Sequence, residues 1–127
     1  MEELPKSDPL YAEISLVFNK CMSCIGSKDM TGLHALIVDY PGMPAPSLDE
    51  LKNGEKGLGK IYRGLTDILF KENKDFHILS IQKATIKGTD QYIVTAEFLF
   101  MEKWRPAEFW FRMVEGKLGI DNFDIEW

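Results

Sequence analysis

The sequence predicts an α+β fold: three N-terminal helices packed on the concave face of a curved four-stranded antiparallel sheet, cone-shaped, in one domain spanning residues 1–127. Three observations carry this. Apolar residues recur at three- and four-residue steps through the first half of the chain, and at two-residue steps from Phe76 onward. The strands of the second half are separated by turns so short that they pair antiparallel, as a meander. Finally, 127 residues with 45% hydrophobic and 28% charged side chains suffice for one core without disulfide or metal staples.

The first helix opens at Asp8-Pro9, an N-cap followed by proline at the first helical position. Leu10, Ile14, Val17, Phe18, Cys21, Cys24 and Ile25 then form one stripe, and the helix is expected to close near Gly26. A second, shorter helix follows Asp29, with Leu33, Leu36 and Ile37 on one side. Tyr40-Pro-Gly-Met-Pro-Ala-Pro46 is a loop, because its three prolines remove donors and fix φ. Ser47-Leu-Asp-Glu50 fits a capping box, with Ser47 and Glu50 satisfying each other's orphan amides. The third helix, loosened at Asn53-Gly54, Gly57 and Gly59, settles into a stripe of Leu58, Ile61, Tyr62, Leu65, Ile68 and Leu69. Gly64 inside it costs about 1 kcal/mol against alanine, which close approach to another backbone would explain.

Four strands follow, at 76–86, 91–102, 106–115 and 117–126, with turns at Lys87-Gly-Thr-Asp90, Glu102-Lys-Trp-Arg105 and Glu115-Gly116. Centring each hairpin on its turn aligns one face in rows. Lys83, Val94, Met113 and Leu118 form the first row, and Ile81, Ala96, Phe111 and Ile120 the second. Leu79, Phe98, Phe109 and Asn122 form the third, and His77, Phe100, Ala107 and Asp124 the fourth. This face is apolar in the middle and polar at one end, as expected of a ligand cavity with a few orienting groups. The alternative is a bulge near Asp121-Asn122 that turns Phe123, Ile125 and Trp127 inward and the polar residues outward. The opposite, convex face carries Thr95, Glu97, Glu108 and Arg112, but also Ile78, Leu99, Met101 and Trp110. Monomers rarely leave such a patch open, so a homodimer through the convex face is expected.

This order of helices and sheet, with the closing phrase VEGKLGIDNFDIEW, resembles the nuclear transport factor two-like superfamily, which also holds ketosteroid isomerase, scytalone dehydratase and SnoaL-like cyclases; the cystatin-like fold is a neighbour. The resemblance is one of architecture and spans nearly the whole chain. It implies a cone-shaped fold that hosts enzymes, binding modules and dimerisation domains alike, so it constrains function little.

Composition narrows the classes further. The 15 basic residues are scattered among 20 acidic ones, for a net charge of −5, which argues against nucleic acid or an anionic membrane as partner. No apolar run approaches the roughly 20 residues of a membrane span. MEELPKSDPLYAEI has neither a basic segment nor an apolar core of a signal peptide, so a cytoplasmic domain is expected.

The most motif-like stretch is Cys21-Met-Ser-Cys24. A thioredoxin-type pair needs a helix N-terminus to lower the thiol pKa, whereas these cysteines lie late in a helix, on its apolar stripe. Zinc needs two further ligands, and the histidines are not at zinc-finger spacing. Free, buried cysteines are expected, with no metal and no cofactor.

Three functions stay open. The first is binding of an apolar or aromatic small molecule in a cavity between helices and sheet. Tyr40, Tyr62, Phe98, Phe100 and Phe109 would supply its aromatic lining, and His77, Asn122 and Asp124 its polar end. The second is an isomerase or lyase with Asp39 or Asp124 as general base and His77 or a tyrosine such as Tyr11 as donor. Against it, an Asp before a Pro-Gly loop, as Asp39 is, is more often a helix-terminal or turn residue, and His77 and Asp124 lie about 14 Å apart, three strands across. The third is a dimerising interaction domain with no site.

Overall fold

In a computed structural model, residues 1–40, 42–55, 57–72 and 76–125 are described, without the side chains of 68–72. The elements in order are β1 (Glu2–Glu3), α1 (Pro9–Ser27), α2 (Met30–His34), α3 (Leu48–Asn53), α4 (Gly57–Glu72), β2 (Phe76–Ile86), β3 (Thr89–Phe100), β4 (Lys103–Val114) and β5 (Lys117–Ile125). The expected α+β layout holds, but the described residues form four helices and five strands rather than three and four.

Both differences have local causes. Gly54 takes a left-handed conformation at φ 62° and ends α3, so the loosened third helix becomes two, α3 and α4. The extra strand is β1, two residues paired with the free edge of β2, Glu2 opposite Lys83. It is too short to carry any alternation, and its neighbour Leu4 is tied in by donating its amide to Ile81 O at 2.8 Å.

The caps form as their residues dictate. Asp8 Oδ1 accepts from Leu10 N at 2.9 Å, and Pro9 occupies the first helical position. Ser47 and Glu50 make the reciprocal capping box. In α1, Ile14, Phe18, Cys21 and Ile25 are the buried stripe. The helix runs past Gly26 to Ser27 and ends on Lys28, left-handed at φ 55°, with Asp29 N donating to Cys24 O at 2.8 Å. The close approach expected at Gly64 occurs instead at Gly59, where a Cβ would lie 2.5 Å from Glu50 O; nothing stands within 4 Å of Gly64.

The sheet is antiparallel throughout, in the order β1-β2-β3-β4-β5. Its hairpins turn on Lys87-Gly88, Met101-Glu102 and Glu115-Gly116, with φ positive at all six residues. Two-residue turns of this hand match the strand twist. The second turn lies earlier than the charged run Glu102–Arg105 because neither of its residues is glycine, so composition does not mark it. The first turn also closes earlier, on Lys87-Gly88 rather than over Lys87–Asp90, so the rows shift along both β2 and β4 without changing face: Val94 lies opposite Ile81 and Phe109, and Phe111 opposite Tyr92 and Ile120.

Two bulges do change face. Leu79 is the extra residue in β2, and Asp121 the extra residue in β5. Beyond them Phe76, Ile78, Phe123 and Ile125 turn toward the helices and pack on the core. Leu79, expected inside, is exposed. The bulge alternative for β5 is the one adopted, with Trp127 outside the described residues. Phe18 of α1 anchors the core, meeting the rings of Phe109, Phe111 and Phe76 at 5.2, 6.4 and 6.2 Å, all edge-on.

After α2 the chain runs beside β5. Val38 N donates to Ile120 O and Ile120 N to Leu36 O, both at 2.9 Å, giving a parallel bridge on the outer edge of the sheet. Gly119 permits it, since a Cβ there would stand 2.6 Å from both Leu36 O and Val38 Cγ1. This contact carries the following loop toward the outer face.

Candidate functional site

The inner face holds the aromatic residues expected there. Phe98, Phe109 and Tyr62 are fully buried, and Tyr62 meets Phe123 edge-on at 5.1 Å. The Tyr62 hydroxyl is buried without a hydrogen-bond partner, and burial, with Cys21 and Asp121 nearby, pushes its pKa up. Phe100 is half-buried, with the Arg105 guanidinium 5.7 Å from its ring.

The polar end expected on this face is not there. Because of the Leu79 bulge, His77 pairs with Glu97 and lies on the outer face, its ring 4.7 Å from Trp104. Because of the Asp121 bulge, Asn122 pairs with Trp110 and Asp124 with Glu108, both on the outer face. Asp39 is exposed, and its Oδ1 accepts from Ala45 N at 2.8 Å, which braces the proline-rich loop. Tyr11 is half-buried on α1 against the core. No described pocket is lined by more than one of Asp39, His77, Asn122 and Asp124. The expected convex patch is also rearranged: Ile78 packs on the core, Trp110 is half-buried, and Leu99 and Met101 remain exposed.

A pocket of about 590 Å³ opens instead on the outer face. Tyr40, carried there by the loop after the Val38 bridge, and Trp110 of β4 supply its aromatic surface. Ile86, Lys87 and Thr89 come from the first hairpin, and Gln91, Arg112 and Asn122 from three adjacent strands. Only Tyr40 and Asn122 were expected at a ligand site.

Beneath the pocket is a buried polar cluster. Asp121 is 1% exposed. Arg112 Nε lies 2.7 Å from its Oδ2, and Gln91 Nε2 donates to both carboxylate oxygens at 3.1 and 3.3 Å. The bulge brings Asn122 to the same face, because two β5 residues, Asp121 and Asn122, stand against the one residue Trp110. Asp121 reaches Arg112 while Asn122 lines the pocket. Burial pushes Asp121 up to about 6 although Arg112 and Gln91 pull it down, so desolvation outweighs the pairing. The sequence signal for this cluster was an acid and a base of outer-face parity inside apolar strands, FWFRM and KLGID.

Of the two cysteines expected to be buried, Cys21 is, and Cys24 is only half-buried against the core. Cys21 and Cys24 are free thiols, and burial, with Cys24 beside it, pushes Cys21 up to about 12, away from thiolate chemistry. Among the described residues no three His, Cys, Asp or Glu side chains converge as a metal cage. Among the same residues no helix is long and apolar enough to cross a membrane.

No known family's sequence profile matches the chain, and no curated protein matches it. Among solved structures it is similar to a designed protein of the NTF2 type, named Rd1NTF2_05 and carrying five substitutions. The TM-score is 0.58 at 15% identity, over 94% of this chain and 100% of the designed one. Helices over one face of a curved antiparallel sheet, and this match along nearly the whole chain, give the protein the nuclear transport factor two-like fold.

Proposed function

We propose that the protein is a small-molecule-binding module whose ligand, aromatic in part, sits in the outer-face pocket between Tyr40 and Trp110. One observation carries this reading: a concave site of about 590 Å³ combines two aromatic side chains with a few polar groups held in place from below. That volume and composition are those of small-molecule sites. The fold is compatible with a ligand-binding domain, and the ligand class expected from the sequence is kept, while the proposed site moves from the inner face to the outer one. The test is a screen of aromatic fragments, neutral and charged, by protein-observed NMR. Fragments should perturb the Tyr40 loop and the Trp110 and Asn122 amides, and Tyr40→Ala with Trp110→Ala should abolish binding. Fragments that bind only against Tyr62 and Phe109, or none that bind at millimolar concentration, would sink the reading.

A second reading, homodimerisation through the outer face, is favoured by a separate observation. At the far end of the strands Leu99 and Trp104 are cross-strand partners, and Trp104 at 47% and Met101 at 69% are strongly exposed. This end is remote from the pocket along β3, so the two readings are compatible. Light scattering at micromolar concentration decides it: a monomeric mass removes the dimer, and a dimer should dissociate on Trp104→Glu.

A further inference from the structure

The geometry points to a planar aromatic carboxylate as the ligand of the outer-face pocket, its carboxylate held between Arg112 and Lys87 and its ring between Tyr40 and Trp110. This inference rests on the binding reading of the same pocket and adds the chemical class of the ligand.

Charge is the first support. The chain carries 20 acidic residues against 15 basic ones, yet the pocket is lined by two cations, Lys87 and Arg112, and by no acid. A concave site lined by one sign of charge concentrates the opposite ion. Asp121, the acid in contact with two lining residues, does not itself line the pocket; its carboxylate lies 2.7 Å from Arg112 Nε and accepts from Gln91 Nε2.

Donor geometry is the second. A guanidinium has five N–H donors in a planar fork, and the nitrogen that approaches Asp121 is Nε, 2.7 Å from Oδ2. Arg112 is only 12% exposed, so its long side chain is fixed before a ligand arrives, and its remaining donors suit a planar two-oxygen acceptor. Asn122 and Thr89 add neutral donors on the same lining. Gln91 contributes none, since its amide N–H groups are turned to Asp121.

The aromatic walls are the third. Tyr40 and Trp110 present flat apolar surface beside the cations, which matches a ring carrying its charge at one edge. A bare inorganic anion would leave that surface unused.

The experiment is calorimetric titration of the intact chain with 2-naphthoate, its neutral isostere 2-naphthamide, and 2-naphthyl phosphate, at 50 and 500 mM NaCl. Naphthoate should bind about tenfold tighter than the amide at low salt, and the gap should narrow at high salt. Lys87→Gln should weaken naphthoate about threefold more than it weakens the amide. Arg112→Lys should weaken naphthoate about tenfold, because it loses the fork while keeping the charge. If Arg112→Lys does not fold, the wild-type pair of ligands and Lys87→Gln still decide. Equal binding of naphthoate and naphthamide overturns the inference and leaves the binding reading standing. A phosphate ester that binds tenfold tighter than naphthoate overturns the carboxylate assignment, and no binding by any probe removes both.

Discussion

Arg112 Nε and Asp121 Oδ2 lie 2.7 Å apart across the β4–β5 pair, at the one point where β5 carries an extra residue. The ion pair and the bulge occur together, and the bulge decides where Asn122 stands. Without the bulge the outward position after Gly119 would belong to Asp121 alone, in register with Trp110, and Asn122 would face the core.

The pair predicts strong coupling. Arg112→Met leaves a buried carboxylate unpaired and should destabilise the protein by about 3 kcal/mol. Arg112→Met with Asp121→Leu removes both charges and should cost much less, about 1 kcal/mol or below. Urea denaturation of the two single variants and the double variant checks this. Additive costs would mean that the two residues do not act as a pair.

A pH dependence follows from Asp121. Its folded pKa, about 6, lies above the ordinary value of 3.8, so the folded state holds this proton more tightly than the unfolded one. The contribution is therefore fully present below about pH 4 and is lost as pH rises through 6. Relative to Asp121→Asn, which has no such group, the wild type should lose about 2–3 kcal/mol between pH 4 and 7. Parallel stability curves for the two proteins across that window would contradict it.

Tyr62 predicts a gain. Its hydroxyl is buried with no partner, so the folded state carries an uncompensated desolvation cost. Tyr62→Phe keeps the ring contact with Phe123 and should raise stability by about 1 kcal/mol, a rise of roughly 3 °C in Tm for a chain of this size. A loss of stability would show that the hydroxyl has a bonding role.

Two glycines predict opposite signs for one substitution. Gly119→Ala drives a Cβ to 2.6 Å from Leu36 O, a backbone atom that cannot rotate away, and should cost about 2 kcal/mol or more by breaking the Val38 bridge. Gly64→Ala meets nothing within 4 Å in a helix interior and should stabilise by about 1 kcal/mol. Thermal melts of the two variants should therefore move in opposite directions. Amide exchange at Val38 should speed up only in the first.

Alternation and caps made most of the fold legible. The stripe Ile14, Phe18, Cys21 and Ile25, the Asp8 and Ser47 caps, and the inward face of Val94 and Phe109 follow from periods and local bonds that neighbouring residues impose, whereas the rows across the sheet do not: Val94 lies opposite Ile81 and Phe109, not Lys83 and Met113. The turns at Gly88 and Gly116 were visible because glycine marks a left-handed backbone; the turn at Met101-Glu102 was not, because nothing in those side chains announces it.

The candidate site was decided elsewhere. Two single-residue bulges, at Leu79 and Asp121, reverse the parity of the strand ends and send His77, Asn122 and Asp124 to the outer face. The bulge at Asp121 accompanies a partner on another strand, and Tyr40 reaches the pocket only because Gly119 lets a distant segment dock on β5. Periods and caps within the chain account for the helices and the four long strands, and for the apolar face of each strand up to its bulge, since those depend on residues a few positions apart. Which polar residues meet, and on which side of the sheet, was decided by tertiary structure, because it depends on where a strand breaks its own period.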